Sequence, residues 1–327
     1  MRQPFVLFAG SDEFSLKVFE GLLARGVKFN GLLTQPDRPH GRRLEPAPSA
    51  LKQRALVAEL PVHQPAKLKD PAFLTALRAL GAELLLVVSY GRILPRAVLD
   101  LFPKGAINVH PSLLPKYRGA APVQRALMYG ETASGVTIFY LEEEMDAGPV
   151  IYKESFEISS DATAGDVFRR VVELGVPRLV SILGDLTVTE RLPTAPQDHT
   201  KATFAPKLTP EEFEMHWDRP AAQLHNQVRA LNPRPGAHTT FRGRRLKIWR
   251  THHPATDELN QSAPPGTLDA RDSHLLAACS DGWLAVLEVQ PEGKRRVAAA
   301  EWLLGLRLAP GDRFEPRRAH EATPEGA

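Results

Sequence analysis

Cysteine is nearly absent from this chain, which contains one copy, Cys279, in 327 residues. A single cysteine cannot form an intrachain disulfide, and a thiolate metal cluster cannot be assembled from this chain alone. Long apolar runs are missing too, since stretches such as Leu84–Val88 are far shorter than the ~20 residues that cross a bilayer. No basic leader precedes the first apolar run, Phe5–Phe8. We therefore expect a cytoplasmic protein without a membrane partner.

The sequence also lacks the glycine pattern of dinucleotide-binding proteins. Gly10 follows the first predicted strand, but the segment GSDEFS has neither the second nor the third glycine that lets a backbone approach pyrophosphate. The second predicted strand ends at Thr34-Gln35 instead of an acidic residue. These absences argue against a dehydrogenase and against a nucleotide cofactor. His252 and His253 have no third ligand at convincing spacing, so we expect no metal.

Acidic residues are absent between Asp218 and Asp257, although the formal net charge is only +3. The basic residues of this interval are Arg219, Arg229, Arg234, Arg242, Arg244, Arg245, Lys247 and Arg250. A field of one sign attracts phosphate backbones, which indicates a nucleic-acid partner. The alternative is a solvated strand face whose acidic partners lie elsewhere. Trp249 lies in the same interval, and we predict that it is buried, because an aromatic residue in an alternating strand is more often core than a stacking platform.

The length of the chain exceeds what one hydrophobic core usually serves, so two domains are expected. In the first half, short apolar runs alternate with helical patterns, as in a mostly parallel sheet with crossover helices. The predicted strands are 5–9, 29–34, 84–88 and 106–110, with 136–141 and 150–158 as a strand pair. The predicted helices are 14–23, 51–59, 71–80, 166–182 and 220–231.

The pattern changes near residue 188, where a Pro- and Thr-rich stretch without a period begins. We predict a Rossmann-like α/β domain over 1–188, an interdomain linker over 189–207, a smaller domain over 208–316 and a flexible tail over 317–327. The smaller domain contains short strands separated by Gly, Pro and Asp, a pattern typical of a β-barrel, of which the oligonucleotide-binding (OB) barrel is one kind. The Pro- and Arg-rich segment 35–50 is predicted to be an exposed loop.

Asn108 and His110 stand two residues apart on the predicted strand 106–110, so their side chains point to the same face of the sheet. Pro111 restricts His110 to an extended backbone and so carries the strand to its end. In open α/β sheets, ligands bind beyond the carboxyl ends of strands. A lone Asn-x-His more often merely flanks a turn. Asp146, in the loop LEEEMDAGPV, supplies a third polar group that turns the pair into a candidate site.

Two segments resemble the signature of the formyltetrahydrofolate-utilising transferases, which is Asn-x-His, then SLLPxxRG, and an Asp before a Gly further on. They are NVHPSLLPKYRGAAPVQRAL, from Asn108, and MDAG, which contains Asp146. The resemblance implies that Asn108, His110 and Asp146 are a catalytic trio and that residues 112–119 form a wall of the site. It also implies the formyltransferase fold and 10-formyltetrahydrofolate as co-substrate, with neither a metal nor a nucleotide cofactor.

The chemistry of formyl transfer to an amine requires residues of these types. A negative charge develops on the formyl oxygen while the attacking amine becomes acidic. The amide of Asn108 can donate a hydrogen bond to that oxygen, and His110 can stabilise it or transfer a proton. We expect Asp146 to hold the histidine tautomer and to accept the amine's proton directly or through water. The sequence leaves open how His110 and Asp146 divide this work.

Further motifs resemble the branch of the family that formylates methionyl-initiator tRNA. They are TQPDRPHGRRL, LVVSYGRILP, PKLTPEE, VRALNPRPGA and LKIWR. The resemblance implies that the folate is held by two segments, comprising Ser89, Tyr90, Gly91, Arg92, Ile93 and Leu94, and Ser112, Leu113, Leu114 and Pro115. It implies that tRNA is contacted by Arg38, Arg42, Arg43, Arg242, Arg244, Arg245 and Lys247.

We therefore expect an enzyme of translation initiation, acting as a monomer, that moves a formyl group from 10-formyltetrahydrofolate to the α-amino group of methionyl-initiator tRNA. Two alternatives reuse the same trio: a formyltransferase acting on an amino-sugar nucleotide, and a hydrolase that releases formate from the folate. A non-catalytic RNA-binding protein would explain the basic interval and the barrel. It would leave Asn108, His110 and Asp146 without a purpose.

Overall fold

The structure, a computed structural model, describes residues 3–40, 45–253, 263–271, 274–309 and 311–315. The chain divides into two compact units. The first comprises residues 1–122, 133–157 and 168–206, and the second comprises residues 123–132, 158–167 and 207–327. The limits predicted for the two domains stay a prediction, and segment 195–206, within the predicted linker, belongs to the first unit.

The first half of the chain alternates strands and helices, as predicted. Its strands are β1 (Val6–Gly10), β2 (Phe29–Leu33), β3 (Arg38–His40), β4 (Glu45–Ala47), β5 (Val62–His63), β6 (Leu84–Val88), β7 (Ala106–His110), β8 (Ala133–Tyr140) and β9 (Val150–Glu157). Its helices are α1 (Glu13–Leu23), α2 (Ala50–Val57), α3 (Pro71–Ala79), α4 (Arg96–Leu99), α5 (Pro122–Met128) and α6 (Ala164–Asp185).

Seven of these strands form one sheet in the order β5-β2-β1-β6-β7-β8-β9. The first five pair in parallel, and β8 and β9 run antiparallel. This confirms the predicted mostly parallel sheet. β3 and β4 form a separate antiparallel hairpin. The segment predicted as a loop thus contains two short strands, because the edge of an isolated hairpin tolerates the prolines that a central strand would reject.

Apolar side chains cover both faces of the seven-stranded sheet. Val6 and Phe8 of β1 pack into one buried cluster with α1 and α6. Leu7 and Ala9 of the same strand pack into a second cluster on the other face, with α3 and α4. The continuous apolar runs of the central strands are therefore explained by burial on both sides. This layered core leaves the strand ends as the places where polar groups can meet a ligand.

The second unit is an antiparallel barrel with its own core. Its elements are α7 (Ala221–Ala230), β10 (Ala237–Phe241), β11 (Arg244–His252), β12 (Leu268–Arg271), β13 (His274–Ala278), β14 (Trp283–Pro291), β15 (Val297–Ala298), α8 (Ala299–Leu304) and β16 (Phe314–Glu315). The strand order is β12-β13-β14-β11-β10-β16, with β15 beside β14. A bridge between Thr267 and Arg313 brings the two edges together, which confirms the predicted barrel.

No helix in the described ranges combines the length and the apolar composition needed to cross a bilayer.

Candidate active site

β7 presents Asn108 and His110 on one face at the carboxyl end of the parallel strands. Ile107 and Val109 point to the opposite face, where they join the cluster around α6. Asn108 lies beside Val87 of the neighbouring strand β6 in register. The period of two along a strand therefore places both polar side chains together, as the sequence predicts.

The ring of His110 is 4% exposed and its orientation is fixed by a main-chain group. Nε2 lies 2.9 Å from the carbonyl oxygen of Tyr117. A carbonyl can only accept, so Nε2 carries the hydrogen and donates it. In the neutral ring, Nδ1 is then the acceptor. The tautomer is set by Tyr117, whereas the sequence led us to expect Asp146 in that role.

The carboxylate of Asp146 lies beside the free side of this ring. Its Oδ2 is 3.7 Å from Nδ1 of His110, beyond hydrogen-bond range but close enough to stabilise a protonated ring. The same oxygen accepts a hydrogen bond of 2.8 Å from the main-chain N–H of Gly119. The imidazole and the carboxylate, 36 positions apart in the sequence numbering, thus form one proton-accepting pair.

The loop that carries Asp146 is shaped by Gly148. A Cβ at this glycine would lie 1.9 Å from the carbonyl oxygen of Tyr140, a distance no side chain tolerates. Asp146 itself has a φ of 52°, in the left-handed region that aspartate visits more readily than most residues. The path of the backbone therefore requires a glycine at Gly148 and favours an aspartate at Asp146, the position that also supplies the carboxylate.

Asn108 offers an unused hydrogen-bond donor next to this pair. Its side chain is half-buried, and none of the residues that the structure describes hydrogen-bonds its amide. A half-buried amide without a protein partner is available to a ligand, because buried polar groups are otherwise almost always paired. The site thus combines a free donor with a proton-accepting pair at one strand end.

The predicted wall after His110 is held by its own hydrogen bonds. The hydroxyl of Ser112 donates to the carbonyl of Lys116 at 2.7 Å. The hydroxyl of Thr137, on β8, donates to the carbonyl of Ser112 and accepts from the amide of Leu114, which is 1% exposed. Ser112 and Leu114 therefore shape the turn, and contact with a folate by residues 112–115 stays a prediction.

The segment 89–94, after β6, is the second predicted folate-binding stretch. Its main-chain amides from Tyr90 to Leu94 donate no hydrogen bond within the described part of the chain. The side chain of Arg92 is tied down instead, since it donates to the carbonyls of Pro65 and Ala66. Ile93 is 75% exposed. Consecutive free amides at the end of a strand next to β7 are suited to a polar planar ligand, and they carry no side-chain pattern that a sequence could show.

The predicted tRNA-binding residues differ in how far they are free to bind phosphate. Arg242 forms a two-pronged ion pair with Asp312, through its Nε and Nη2. Hydrogen bonds from Arg242 lower the pKa of the Asp312 carboxyl below its ordinary value. Lys247 donates to the carbonyl of Pro235 at 2.8 Å, and burial lowers its pKa. These two cations are partly committed to the barrel.

Arg244 and Arg245 are exposed cations of β11. The side chain of Arg245 has one close contact, 3.2 Å from Nη2 to Nδ1 of His238, and the side chain of Arg244 makes no hydrogen bond or ion pair within the described residues. Trp249 is buried, as predicted, at 8% exposure, with Lys247 and Arg296 over its ring. The backbone of Arg38 lies in β3, while Arg42 and Arg43 fall outside the described residues.

Comparison with known families matches both halves of the chain. Residues 5–183 match the family described as Formyl transferase, and residues 207–307 match Formyl transferase, C-terminal domain. A methionyl-tRNA formyltransferase from Moorella thermoacetica is 42% identical over 307 residues, covering 94% of this chain and 98% of that protein. A protein of the same name from Methylococcus capsulatus is 42% identical over 306 residues, covering 93% and 97%.

Solved structures share the fold at lower identity. HypX from Aquifex aeolicus in complex with tetrahydrofolic acid has a TM-score of 0.64 and 18% identity over 92% of this chain, which spans 47% of the HypX chain. The methionyl-tRNA formyltransferase from Clostridium thermocellum has a TM-score of 0.54 and 15% identity, covering 76% of this chain and 94% of that one. At these identities the likeness concerns the fold alone.

Proposed function

Since the chain belongs to the formyl transferase family, we propose that it transfers the formyl group of 10-formyltetrahydrofolate to the α-amino group of methionyl-initiator tRNA. The observation that carries the proposal is the meeting of the unpartnered Asn108 amide with the His110–Asp146 pair at the end of β7. The full-length relatives named methionyl-tRNA formyltransferase support the choice of acceptor. A charged tRNA as acceptor supports a cytoplasmic reaction, and the monomeric state stays a prediction from the sequence.

Asn108 acts as the donor to the oxygen that gains negative charge. Its amide is already oriented by β7 and does not have to break a protein hydrogen bond first. A donor that is fixed before the reaction stabilises developing charge without reorganisation, which is usually the largest contribution to catalysis of this kind. We therefore assign Asn108 to the oxyanion.

His110 and Asp146 act together as the proton-accepting pair. With Nε2–H donated to Tyr117, the neutral ring presents the lone pair of Nδ1 on the side where the carboxylate lies. A proton taken from the attacking amine, directly or through water, then rests between an imidazole and a negative charge that stabilises it. The N–H of Gly119 holds the carboxylate in this position by donating to its Oδ2.

We assign the folate co-substrate, which supplies the formyl group, to the end of the sheet beside Asn108. A pterin has donors and acceptors along its edge, and the free amides from Tyr90 to Leu94 can donate to such a group. This segment begins directly after β6, the strand that lies in register with Asn108. Residues 89–94 and 112–115 would hold the folate, the first through main-chain groups and the second by shaping the adjacent turn.

The acceptor separates the proposal from its alternatives. The purified protein is incubated with 10-formyltetrahydrofolate and either methionyl-initiator tRNA, an amino-sugar nucleotide or water alone, and formyl transfer and formate release are measured. We expect transfer to the charged tRNA only. Equal activity with the sugar nucleotide or with water would overturn the choice of acceptor, and tRNA binding without any formyl transfer would identify an RNA-binding protein instead.

We expect Arg244 and Arg245 to position the tRNA by binding its phosphates. Replacing either by Gln should weaken binding and reduce the slope of log K against log salt by about 0.7–0.9 for each phosphate that the arginine had neutralised. Filter binding or fluorescence titration of charged tRNA across a salt series measures this slope. Arg25, an exposed arginine just after α1 whose guanidinium donates to Gly21, is the matched control, because Arg25→Gln removes the same charge elsewhere. The same slope change in Arg25→Gln would contradict the assignment.

A further inference from the structure

A buried glutamine, Gln197, hydrogen-bonds the loop that carries Asp146. Its Nε2 donates to the main-chain carbonyls of Asp146 at 2.9 Å and of Gly148 at 2.8 Å. Its Oε1 accepts from Nη2 of Arg118, also at 2.8 Å. Both N–H groups of the amide are used, and the residue is only 7% exposed. Gln197 thus ties the Asp146 loop to Arg118 of the segment that follows His110.

Gln197 belongs to segment 195–205, which we call the strap. At one end of the strap, Ala195 exchanges main-chain hydrogen bonds of 2.8 and 2.9 Å with Val150. At the other end, the amide of Arg118 donates to the carbonyl of Thr203 at 2.8 Å, and the amide of Ala205 donates to the carbonyl of Arg118 at 2.7 Å. The strap therefore spans two chain segments, 146–150 and 115–119.

These two segments hold the proton-accepting pair. The carbonyl of Tyr117 fixes the ring of His110, and the amide of Gly119 fixes the carboxylate of Asp146. The hydroxyl of Thr203, in the strap, accepts a hydrogen bond of 2.9 Å from the amide of Tyr117. The peptide between Tyr117 and Arg118, which presents the Tyr117 carbonyl to His110, is held from the strap too, because its N–H, that of Arg118, donates to the carbonyl of Thr203.

The pair itself has no direct bond that would keep its members at the right distance. Nδ1 of His110 and Oδ2 of Asp146 are 3.7 Å apart, beyond a hydrogen bond, so the surrounding backbone must set their spacing. The sequence could not reveal this arrangement, because a Pro- and Thr-rich stretch without a period indicates a connector. In the folded protein, the same stretch also holds segments 146–150 and 115–119 together.

We propose that the strap sets the spacing of His110 and Asp146, with Gln197 as its positioning residue. The inference rests on the proposed function, since its effect is read in formyl transfer. Gln197 touches neither reacting side chain. It acts through the carbonyls of Asp146 and Gly148, which determine where the loop places the carboxylate.

Gln197→Met is the sharpest test, because it keeps the approximate size of the side chain, removes both donors and adds no charge. We expect kcat for methionyl-initiator tRNA to fall about tenfold, as a small misplacement of a reacting group costs, with KM for both substrates within about twofold. The thermal midpoint and the far-UV circular dichroism spectrum of the same sample measure how much of the variant is folded at the assay temperature.

A purely structural role predicts a different pattern. Loss of folded enzyme would lower the thermal midpoint towards the assay temperature, and kcat per folded molecule would stay at the wild-type value. That result, or unchanged kcat, would overturn the proposal. Gln53→Met is the matched control, since this exposed glutamine of α2 donates to the carbonyl of Pro48, away from the site, and the variant should keep the wild-type kcat.

Thr203 gives an independent test if Gln197→Met does not fold. Thr203 is exposed, so Thr203→Val should fold while losing the acceptor for the Tyr117 amide. We expect a lower kcat with unchanged KM in Thr203→Val and the wild-type kcat in Thr203→Ser, which retains the hydroxyl. Wild-type behaviour of Thr203→Val would count against the strap. Absence of formyl transfer by the wild-type enzyme would instead refute the proposed function, whatever the variants do.

Discussion

Replacing Asn108 by alanine should lower kcat roughly a hundredfold or more, while the affinity for tRNA stays unchanged. The side-chain amide of Asn108 has no partner among the described residues, so its removal breaks no internal hydrogen bond. The variant lacks only the donor to the oxygen on which charge develops. Single-turnover formylation of methionyl-initiator tRNA, with tRNA binding measured separately, resolves the two quantities.

A matched pair of variants makes the Asn108 prediction sharp. Asn108→Asp keeps the size of the side chain but replaces its NH2 donor by a carboxylate oxygen, so kcat should fall at least as far as in the alanine variant. Asn30→Ala removes a half-buried amide from β2 that also makes no side-chain hydrogen bond in the described ranges, and it should leave kcat unchanged. Undiminished turnover in Asn108→Ala would remove Asn108 from the mechanism.

Asp146→Asn should lower kcat by roughly 10²–10⁴, the range over which a positioned acid–base group contributes. An asparagine can still accept the hydrogen bond from the amide of Gly119, so the loop should keep its place. The negative charge beside Nδ1 of His110 disappears, and a protonated ring then has no counter-charge. The measurement is kcat across pH together with the thermal midpoint.

The control for Asp146→Asn comes from the same loop. Glu143 is exposed, so Glu143→Gln removes a carboxylate three positions away from Asp146 without touching the pair. We expect wild-type kcat in Glu143→Gln and a thermal midpoint close to the wild type in both variants. Equal losses of kcat in the two variants would mean that the charge of the loop matters, and that Asp146 has no special role.

Much of the fold follows from local patterns. The apolar runs that predict strands 84–88 and 106–110 coincide with β6 and β7, and the predicted helix 71–80 ends one residue beyond α3. The order of the strands in the sheet could not be predicted from local patterns, because parallel neighbours such as β1 and β6 are far apart in sequence. The prolines of segment 35–50 predicted a loop. The hairpin of β3 and β4 shows that a strand paired on one side only tolerates prolines that would disrupt a central strand.

The residues of the candidate site also differ in how far the sequence predicted them. The period of two along a strand was enough to place Asn108 and His110 on one face, and the motif around Asp146 was enough to name the third member. The free amides of Tyr90–Leu94 were named only through the resemblance to a family. Their chemistry belongs to the backbone, which is the same for almost every residue type.

The sequence by itself determined which side chains carry the chemistry, because residue type and spacing along a strand are properties of the chain alone. Only the tertiary structure decided how they are held. Tyr117 sets the tautomer of His110, the amide of Gly119 anchors Asp146, and Gln197 reaches the Asp146 loop from a stretch that the sequence indicates is a linker. The physical reason is that main-chain donors and acceptors become specific only through position, and position depends on the packing of segments far apart in sequence.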